Sequence, residues 1–292
     1  MGKGKVYVQF PRTGLGNMML TWTRGYLFAH LNELPLVASS WGKIQWGAWL
    51  RWERKKRTYW GYFRESSLAE KIKTRWQKRK AQIIVEPSIE RMADTDRSEA
   101  LYLFDQVSPG KDLFGPFRAH RNLVRQAIFD QLHPAMRGKL ERYQPPVIAL
   151  HIRRGDFKLG NPITPDSFFI NAILLAREVA GKELPATIFT DAAPEEIKDV
   201  LSLPGVAMSE DKPDILDILL MSKSKMIVLS QSSTFSYWGA FLSDAAIIRP
   251  AGDWQGELRP AAVNEHIFEG KVDFDDADSV QRLKAGLQAV TW

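Results

Sequence analysis

Residues 147–152 read Val-Ile-Ala-Leu-His-Ile, an apolar, partly β-branched run with one polar interruption at His151, introduced by Pro145-Pro146 and closed by Gly155. A run of that length between turn formers predicts a buried central strand, and a strand buried on both faces needs helices on both sides. The sequence downstream has the matching rhythm. Helix is expected over 165–180 with Thr164 as its cap, strand over 187–191, and helical turns over 194–203 that open on Glu195 and Glu196. A short strand at 206–209, a helix over Asp214–Met221, a strand at 225–229 and a hydroxyl-rich turn entering a helix at 230–240 follow, and a short helix at 283–290 closes the chain. Alternating strands and helices define an α/β chain built on a parallel sheet.

Two arginines and an aspartate, Arg153, Arg154 and Asp156, leave the central strand at its carboxyl end. Open α/β sheets place their ligands there. Successive side chains of an extended chain point to opposite faces, so only one of the two arginines is expected to reach a ligand directly. Arginine suits bidentate recognition of phosphate, which makes a diphosphate the natural guest. Two plainer readings stand beside this one: His151 as a hydrogen-bonded structural residue, and the arginines as an ion-pair network with Asp156. The tripeptide Arg154-Gly155-Asp156 follows a buried strand, so its match to an adhesion motif is read as chance.

In the first half, residues 5–10 alternate like a strand and lead into Gly14-Leu15-Gly16-Asn17, after which Met18 to Leu31 has helical spacing. Strand, glycine-rich turn and helix present backbone N–H groups to an anion, although Met19 stands where the dinucleotide fingerprint has its third glycine. A tight structural turn is the alternative. Strands are expected at 34–38, 82–86 and 101–104, a loop at Phe114-Gly115-Pro116-Phe117, and one helical stretch over 121–140 with Leu123, Ala127, Ile128 and Leu132 on a common face. Pro145-Pro146 marks the boundary by composition, dividing the chain into domains 1–144 and 145–292.

The chain has 292 residues, 45% hydrophobic and 25% charged, as for a soluble globular protein with room for two domains. It contains no cysteine, which excludes disulfides and cysteine-ligated zinc and fits a reducing compartment. No signal peptide and no apolar run of membrane-spanning length is encoded, and Val6 stands where a myristoylation signal wants Ser or Thr. The formal net charge of +6 is uneven: residues 41–80 carry 13 Lys or Arg against three Glu, a net +10, and six of the ten tryptophans, Trp41, Trp46, Trp49, Trp52, Trp60 and Trp76. Such a mixture suits an anionic membrane surface, sugar stacking or single-stranded nucleic acid; the plain alternative is a solvated helical face with a few packed tryptophans. No recognised nucleic-acid motif accompanies it.

Three stretches, Gly14-Leu15-Gly16-Asn17-Met18-Met19, His151-Ile152-Arg153-Arg154-Gly155-Asp156, and Asp217 with Ser233-Thr234-Phe235-Ser236-Tyr237-Trp238-Gly239-Ala240, together resemble glycosyltransferase family 11, the α-1,2-fucosyltransferases. That family's patterns are G-L-G-N-Q-M-F, H-x-R-R-x-D and S-x-F-S-W-W-G-A. Here Met18 replaces Gln, Leu20 replaces Phe and Tyr237 replaces the first Trp. The arginine motif and the late hydroxyl cluster are also similar, more distantly, to α-1,6- and protein O-fucosyltransferases.

The resemblance implies a GT-B architecture, two Rossmann-like halves facing across a cleft, with the acceptor on the 1–144 side and GDP-fucose in the 145–292 half. It implies inverting transfer without a metal or resident cofactor, the donor substrate being GDP-fucose. Arg153 would hold the β-phosphate, Arg154 and Asp156 would support the loop, and His151 and Asp217 would contact the guanosine. Ser233, Thr234, Phe235 and Ser236 would bring hydroxyl and N–H groups to the diphosphate, with Gly14, Gly16 and Asn17 closing on it. A glycan acceptor, soluble or lipid-linked, at the cytoplasmic face of a membrane completes this reading, and no nucleic acid is expected. Asp273-Phe274-Asp275 spells the Asp-x-Asp of metal-dependent transferases but is read as a solvated charge cluster after the sheet has ended. Glu33 and Glu65 are candidates for the acceptor's base by residue type only. The rival readings are a transferase for another GDP-deoxysugar and a non-catalytic binder of a membrane surface or nucleic acid.

Overall fold

A computed structural model describes residues 4–42, 58–92, 100–107, 112–155 and 163–292. Asp156 and residues 43–57, with Trp46, Trp49, Trp52 and the Lys55-Lys56-Arg57 run, therefore lie outside the described residues. The chain divides into two units, Met1–Arg137 and Gly138–Trp292. The division precedes Pro145-Pro146.

The first unit is built on a parallel sheet, β1 (Lys5–Val8), β2 (Leu36–Ala38), β3 (Ile83–Val85) and β4 (Leu101–Phe104), in the order β2-β1-β4-β3. Helix α1 (Leu15–Leu31) follows β1 and buries Met18, Leu20, Trp22, Leu27 and Phe28. It lies so close to the sheet that a Cβ on Gly25 would overlap Val8. Helix α2 (Leu68–Gln77) precedes β3. The loop expected around residue 115 is a 3-10 helix, Gly115–His120. The single helix expected over 121–140 is two, α3 (Arg121–Gln131) and α4 (Pro134–Leu140). Leu132 turns extended at φ −58° and ψ 138°, and Pro134, which lacks an N–H, can only begin the next helix. Val124, with Ala127, Ile128 and Leu132, takes the buried place expected for Leu123.

The second unit carries six parallel strands in the order β10-β9-β8-β5-β6-β7. They are β5 (Ile148–Ile152), β6 (Ala186–Thr190), β7 (Val206–Met208), β8 (Met226–Val228), β9 (Ala246–Pro250) and β10 (Glu269–Val272). All five residues of β5 are buried, as the apolar run requires, and β5 sits between β6 and β8. The helices are α5 (Asp166–Ala180), α6 (Lys198–Leu201), α7 (Asp214–Met221), α8 (Thr234–Leu242), α9 (Ala261–Asn264) and α10 (Ala277–Gln288). Ile148, Leu150 and Ile152 pack with Ile188, Val228, Phe169, Ile173, Leu283 and Leu287. Each such side chain, fully buried, contributes about 1.5–3 kcal/mol before entropy is charged against it. His151 alternates to the opposite face, where its ring lies 5.5 Å from that of Phe235 on α8.

Strand order decides where a ligand can enter. From β5 the chain builds outward through β6 and β7; it then returns to the other side of β5 and builds outward again through β8, β9 and β10. The crevice of such a sheet opens between the two strands where the direction reverses, at the carboxyl ends of β5 and β8. Thr164 does not cap α5: the N-cap is Pro165 without a side-chain bond, and the Thr164 hydroxyl instead accepts the Gln231 N–H at 3.0 Å, beside that crevice. The sheet ends before Asp273, as expected, because β10, its last strand in chain order, stops at Val272. Asp273 accepts the Asp275 N–H at 3.0 Å and Asp276 caps α10, so this acidic stretch is turn and cap. Among the described residues no helix is long and apolar enough to cross a membrane.

Candidate functional site

The carboxyl ends of β5 and β8 are stitched together by one hydroxyl. Ser230 Oγ donates to the His151 carbonyl at 2.8 Å and accepts the Arg153 N–H at 2.9 Å. The two arginines then part. Arg154 is buried, its guanidinium bonded to Asp166 and to the Arg153 carbonyl at 3.1 Å. Arg153 keeps 23% of its side chain exposed and pairs through Nη1 with Asp191 Oδ2 at 3.0 Å. Asp191 also accepts the Arg154 N–H at 2.8 Å, and it packs so tightly under Gly155 that a Cβ there would overlap its carboxylate. Arg154 is therefore the anchor, and Arg153 is the guanidinium presented at the crevice. Among the described residues Asp191 and Asp166 pair with them, while Asp156, expected in that role, lies outside the described residues.

His151 is 4% exposed, and its Nδ1 has no hydrogen-bond partner among the described residues. Burial, reinforced by the neighbouring Arg153 charge, lowers its pKa from the ordinary 6.5 to about 3. The ring is neutral at physiological pH. Because the unfolded chain binds this proton more readily than the folded one, the contribution is fully present above pH 6.5 and is lost as pH falls toward 3. Stability should fall by up to about 1.4 kcal/mol per pH unit from this residue. Urea titrations between pH 5 and 6.5 should show that slope in the native protein and a flatter one in His151→Gln; equal slopes would remove His151 from the account.

Beyond β8, Ser232 takes a left-handed φ of 58°, uncommon without a glycine. Asp253 holds this turn: it accepts the Tyr237 hydroxyl and, at 3.4 Å, the Ser232 N–H. Burial first, and then the Asp253 carboxylate, push the Tyr237 hydroxyl well above its ordinary pKa, so it stays a donor. Ser233 stands at the N-cap of α8 without a side-chain capping bond, and Thr234, Phe235 and Ser236 form the first turn. The first-turn N–H groups of a helix have no intrahelical acceptor and attract anions. Tyr237 and Trp238 are fully buried, whereas Phe235 is half-buried against His151.

Asp217 lies on α7 with its side chain 9% exposed, paired with Lys212 at 3.1 Å. Lys212 also lies 5.3 Å from the centre of the Phe189 ring, and Phe189 is the β6 partner of His151 in register. His151, Phe189, Lys212 and Asp217 thus form one run across the sheet face. Lys212, Asp191, Asp166 and Ser230 were not singled out by sequence. Asp191 carried a signal, as the last residue of the polar-ended segment expected at 187–191, and so did Ser230, as the first residue of the hydroxyl-rich turn.

Gly14, Gly16 and Asn17 belong to the first unit. Gly14 is the N-cap of α1, with no atom near its Cβ direction. The Leu15 N–H is taken by the Tyr59 hydroxyl at 3.1 Å, and Asn17 Nδ2 donates to Thr13 Oγ1 at 2.8 Å. Glu33 follows α1 directly before β2 begins, a helix length of about 25 Å from the Gly14 turn. Glu65 accepts from the Ser40 hydroxyl at 3.0 Å and the Trp41 N–H at 2.9 Å, and it pairs with Lys71. Among the described residues no group of three or more His, Asp or Glu side chains is placed to hold a metal ion.

An α/β chain of parallel sheets with its candidate site at the strand-order reversal of the second unit has the fold of the GT-B fucosyltransferases. The solved structures that share it include NodZ α-1,6-fucosyltransferase soaked with GDP-fucose, 14% identical, covering 87% of this chain and 98% of its own, with a TM-score of 0.52. NodZ is the Bradyrhizobium fucosyltransferase. The apo form of POFUT1 is 11% identical, covering 84% of this chain and 97% of its own, with a TM-score of 0.53. A mutant of Arabidopsis thaliana FUT1 in complex with GDP is 13% identical, covering 90% of this chain and 74% of its own, with a TM-score of 0.50. No family model and no curated protein matches the sequence.

Proposed function

We propose that the chain transfers L-fucose from GDP-β-L-fucose, with inversion, to a galactoside hydroxyl of a surface glycan or lipopolysaccharide precursor, forming an α-1,2 linkage. The observation that carries the proposal is Arg153: a guanidinium held by Asp191, yet partly open, on the edge where α8 begins. In this reading the acceptor oxygen bonds to the anomeric carbon as the bond to the β-phosphate oxygen breaks, and GDP leaves with the electron pair. Charge then grows on the β-phosphate, where Arg153 and the N–H groups of Thr234, Phe235 and Ser236 would meet it. Preorganised donors of this kind do the work that a divalent cation does in other transferases.

The guanosine would lie against neutral His151, with Asp217 accepting from the N1 and N2 donors and Lys212 fixing that carboxylate. The roles of Gly14, Gly16, Asn17 and Asp156, the family 11 assignment and the linkage rest on the motif resemblance. An oxocarbenium-like transition state sheds the acceptor proton late, so demand on a base is small; neither Glu33 nor Glu65 is placed in that role.

A donor panel tests the proposal. The protein, GDP-fucose, other GDP-deoxysugars and UDP-sugars are incubated with galactosides and a chelator, and released nucleotide and product are measured. Turnover is expected with GDP-fucose and unchanged by chelation. Preference for another GDP-deoxysugar, dependence on a divalent cation, or no turnover of any donor would each overturn it.

A further inference from the structure

A helix at a protein surface normally turns its apolar stripe inward. Helix α2 does the reverse. Leu68, Ile72 and Trp76 recur at every fourth residue, within about 80° of its circumference. They are 73%, 49% and 61% exposed, while the one buried residue, Thr74, lies on the opposite side. The helix does not need the stripe in order to fold. Ser67 and Glu70 form a reciprocal capping box, Lys71 pairs with Glu65, and Lys78 Nζ donates to Gln9 Oε1 at 2.9 Å.

The flanks are cationic. Lys73, Arg75, Arg79 and Lys80 are all exposed, and the Arg79 guanidinium sits 5.0 Å from the centre of the Trp76 ring. An outward apolar stripe bordered by Lys and Arg is the pattern of a helix that lies in the headgroup layer of a membrane, with tryptophan at the interface. We propose that α2 docks on an anionic lipid surface, Leu68, Ile72 and Trp76 entering the acyl boundary and Lys73, Arg75, Arg79 and Lys80 meeting lipid phosphates. Each cation near such a surface adds about fivefold to the partition, and salt screens it. This surface belongs to the first unit and stands independently of the donor chemistry.

The experiment uses the full chain and vesicles of phosphatidylcholine with or without one-third phosphatidylglycerol. Sedimentation with the anionic vesicles is expected, falling about tenfold or more in the triple variant Leu68→Ser, Ile72→Ser, Trp76→Ser, and similarly in Lys73→Gln, Arg75→Gln, Arg79→Gln. Equal sedimentation with both vesicle types, or an unaffected apolar variant, would overturn the proposal. So would tighter binding to a single-stranded oligonucleotide that only the charge variant weakens. Because the chain has no cysteine, a second measurement needs no background removal: a polarity-sensitive dye on Ile72→Cys should shift to the blue with anionic vesicles, and the same dye on exposed Lys198→Cys should not. A shift at 198 without one at 72 would also overturn it. GDP affinity is expected to be the same in all variants, so loss of vesicle binding and loss of the nucleotide site are read separately.

Discussion

Arg153→Ala is expected to lower fucose transfer from GDP-fucose by about 10²–10³-fold, the usual cost of removing a donor aimed at charge that develops in a transition state. The fold should survive. Arg153 is partly exposed, and its loss returns Asp191 to a setting that is itself 29% open to water. The backbone stitch from Arg153 N–H through Ser230 to the His151 carbonyl does not involve the side chain. Arg153→Lys should recover only part of the loss, since an ammonium offers a point charge in place of a fork. The decisive comparison is kcat against GDP-fucose affinity: loss of kcat exceeding loss of donor binding is expected, because the β-phosphate gains its extra charge only as the bond to fucose breaks. Transfer within a fewfold of the native rate would remove Arg153 from the site.

Glu269→Ala should be the most damaging single change to stability, by about 3–5 kcal/mol, as follows from stranding buried cations. Its carboxylate is fully enclosed and faces Arg259, fully enclosed too, at 3.3 Å, and Arg249 at 3.5 Å. It also accepts the Leu258 N–H at 2.6 Å and the Arg259 N–H at 3.1 Å. Alanine leaves two guanidinium groups without that counter-charge and two N–H groups without that acceptor. Glu269→Gln keeps the shape and part of the bonding and should fall between the two. Urea unfolding measures both, and a cost below about 1 kcal/mol for alanine would contradict the assignment. The same network reaches the site, because Arg249 pairs with Asp253 at 3.4 Å, and Asp253 holds Tyr237 and the Ser232 turn. A partial loss of GDP affinity should therefore accompany Glu269→Gln.

What the sequence made legible was local. A six-residue apolar run between prolines and a glycine can hardly be anything but an inner strand, and β5 is one. The order of short strands and helices from 186 to 242 needed only period and punctuation. Partners across the sheet had no such marker. Asp166 and Asp191 lie 12 and 37 residues from the Arg154 groups that they bind, so no spacing rule points to them. β9 and β10 were missed for another reason: the apolar run of β9 is cut short by Arg249 and Pro250, and β10 reads Glu-Gly-Lys-Val, whose buried charge makes sense only once Arg249 and Glu269 are paired. The break at Leu132 was in plain view, since Pro134 cannot continue a helix. Its dihedral consequence outweighed the apolar spacing that had suggested one long element.

The ion pair between Arg153 and Asp191 sets a threshold for any visitor. A monoanion brings this arginine nothing that its resident carboxylate does not already supply, and a neutral sugar brings less. Only a guest with several negative oxygens close together can engage the guanidinium alongside, or in place of, Asp191. In the proposed reaction the pair would act as a charge filter, favouring a nucleoside diphosphate over free glycosides before the base or the sugar is read at all.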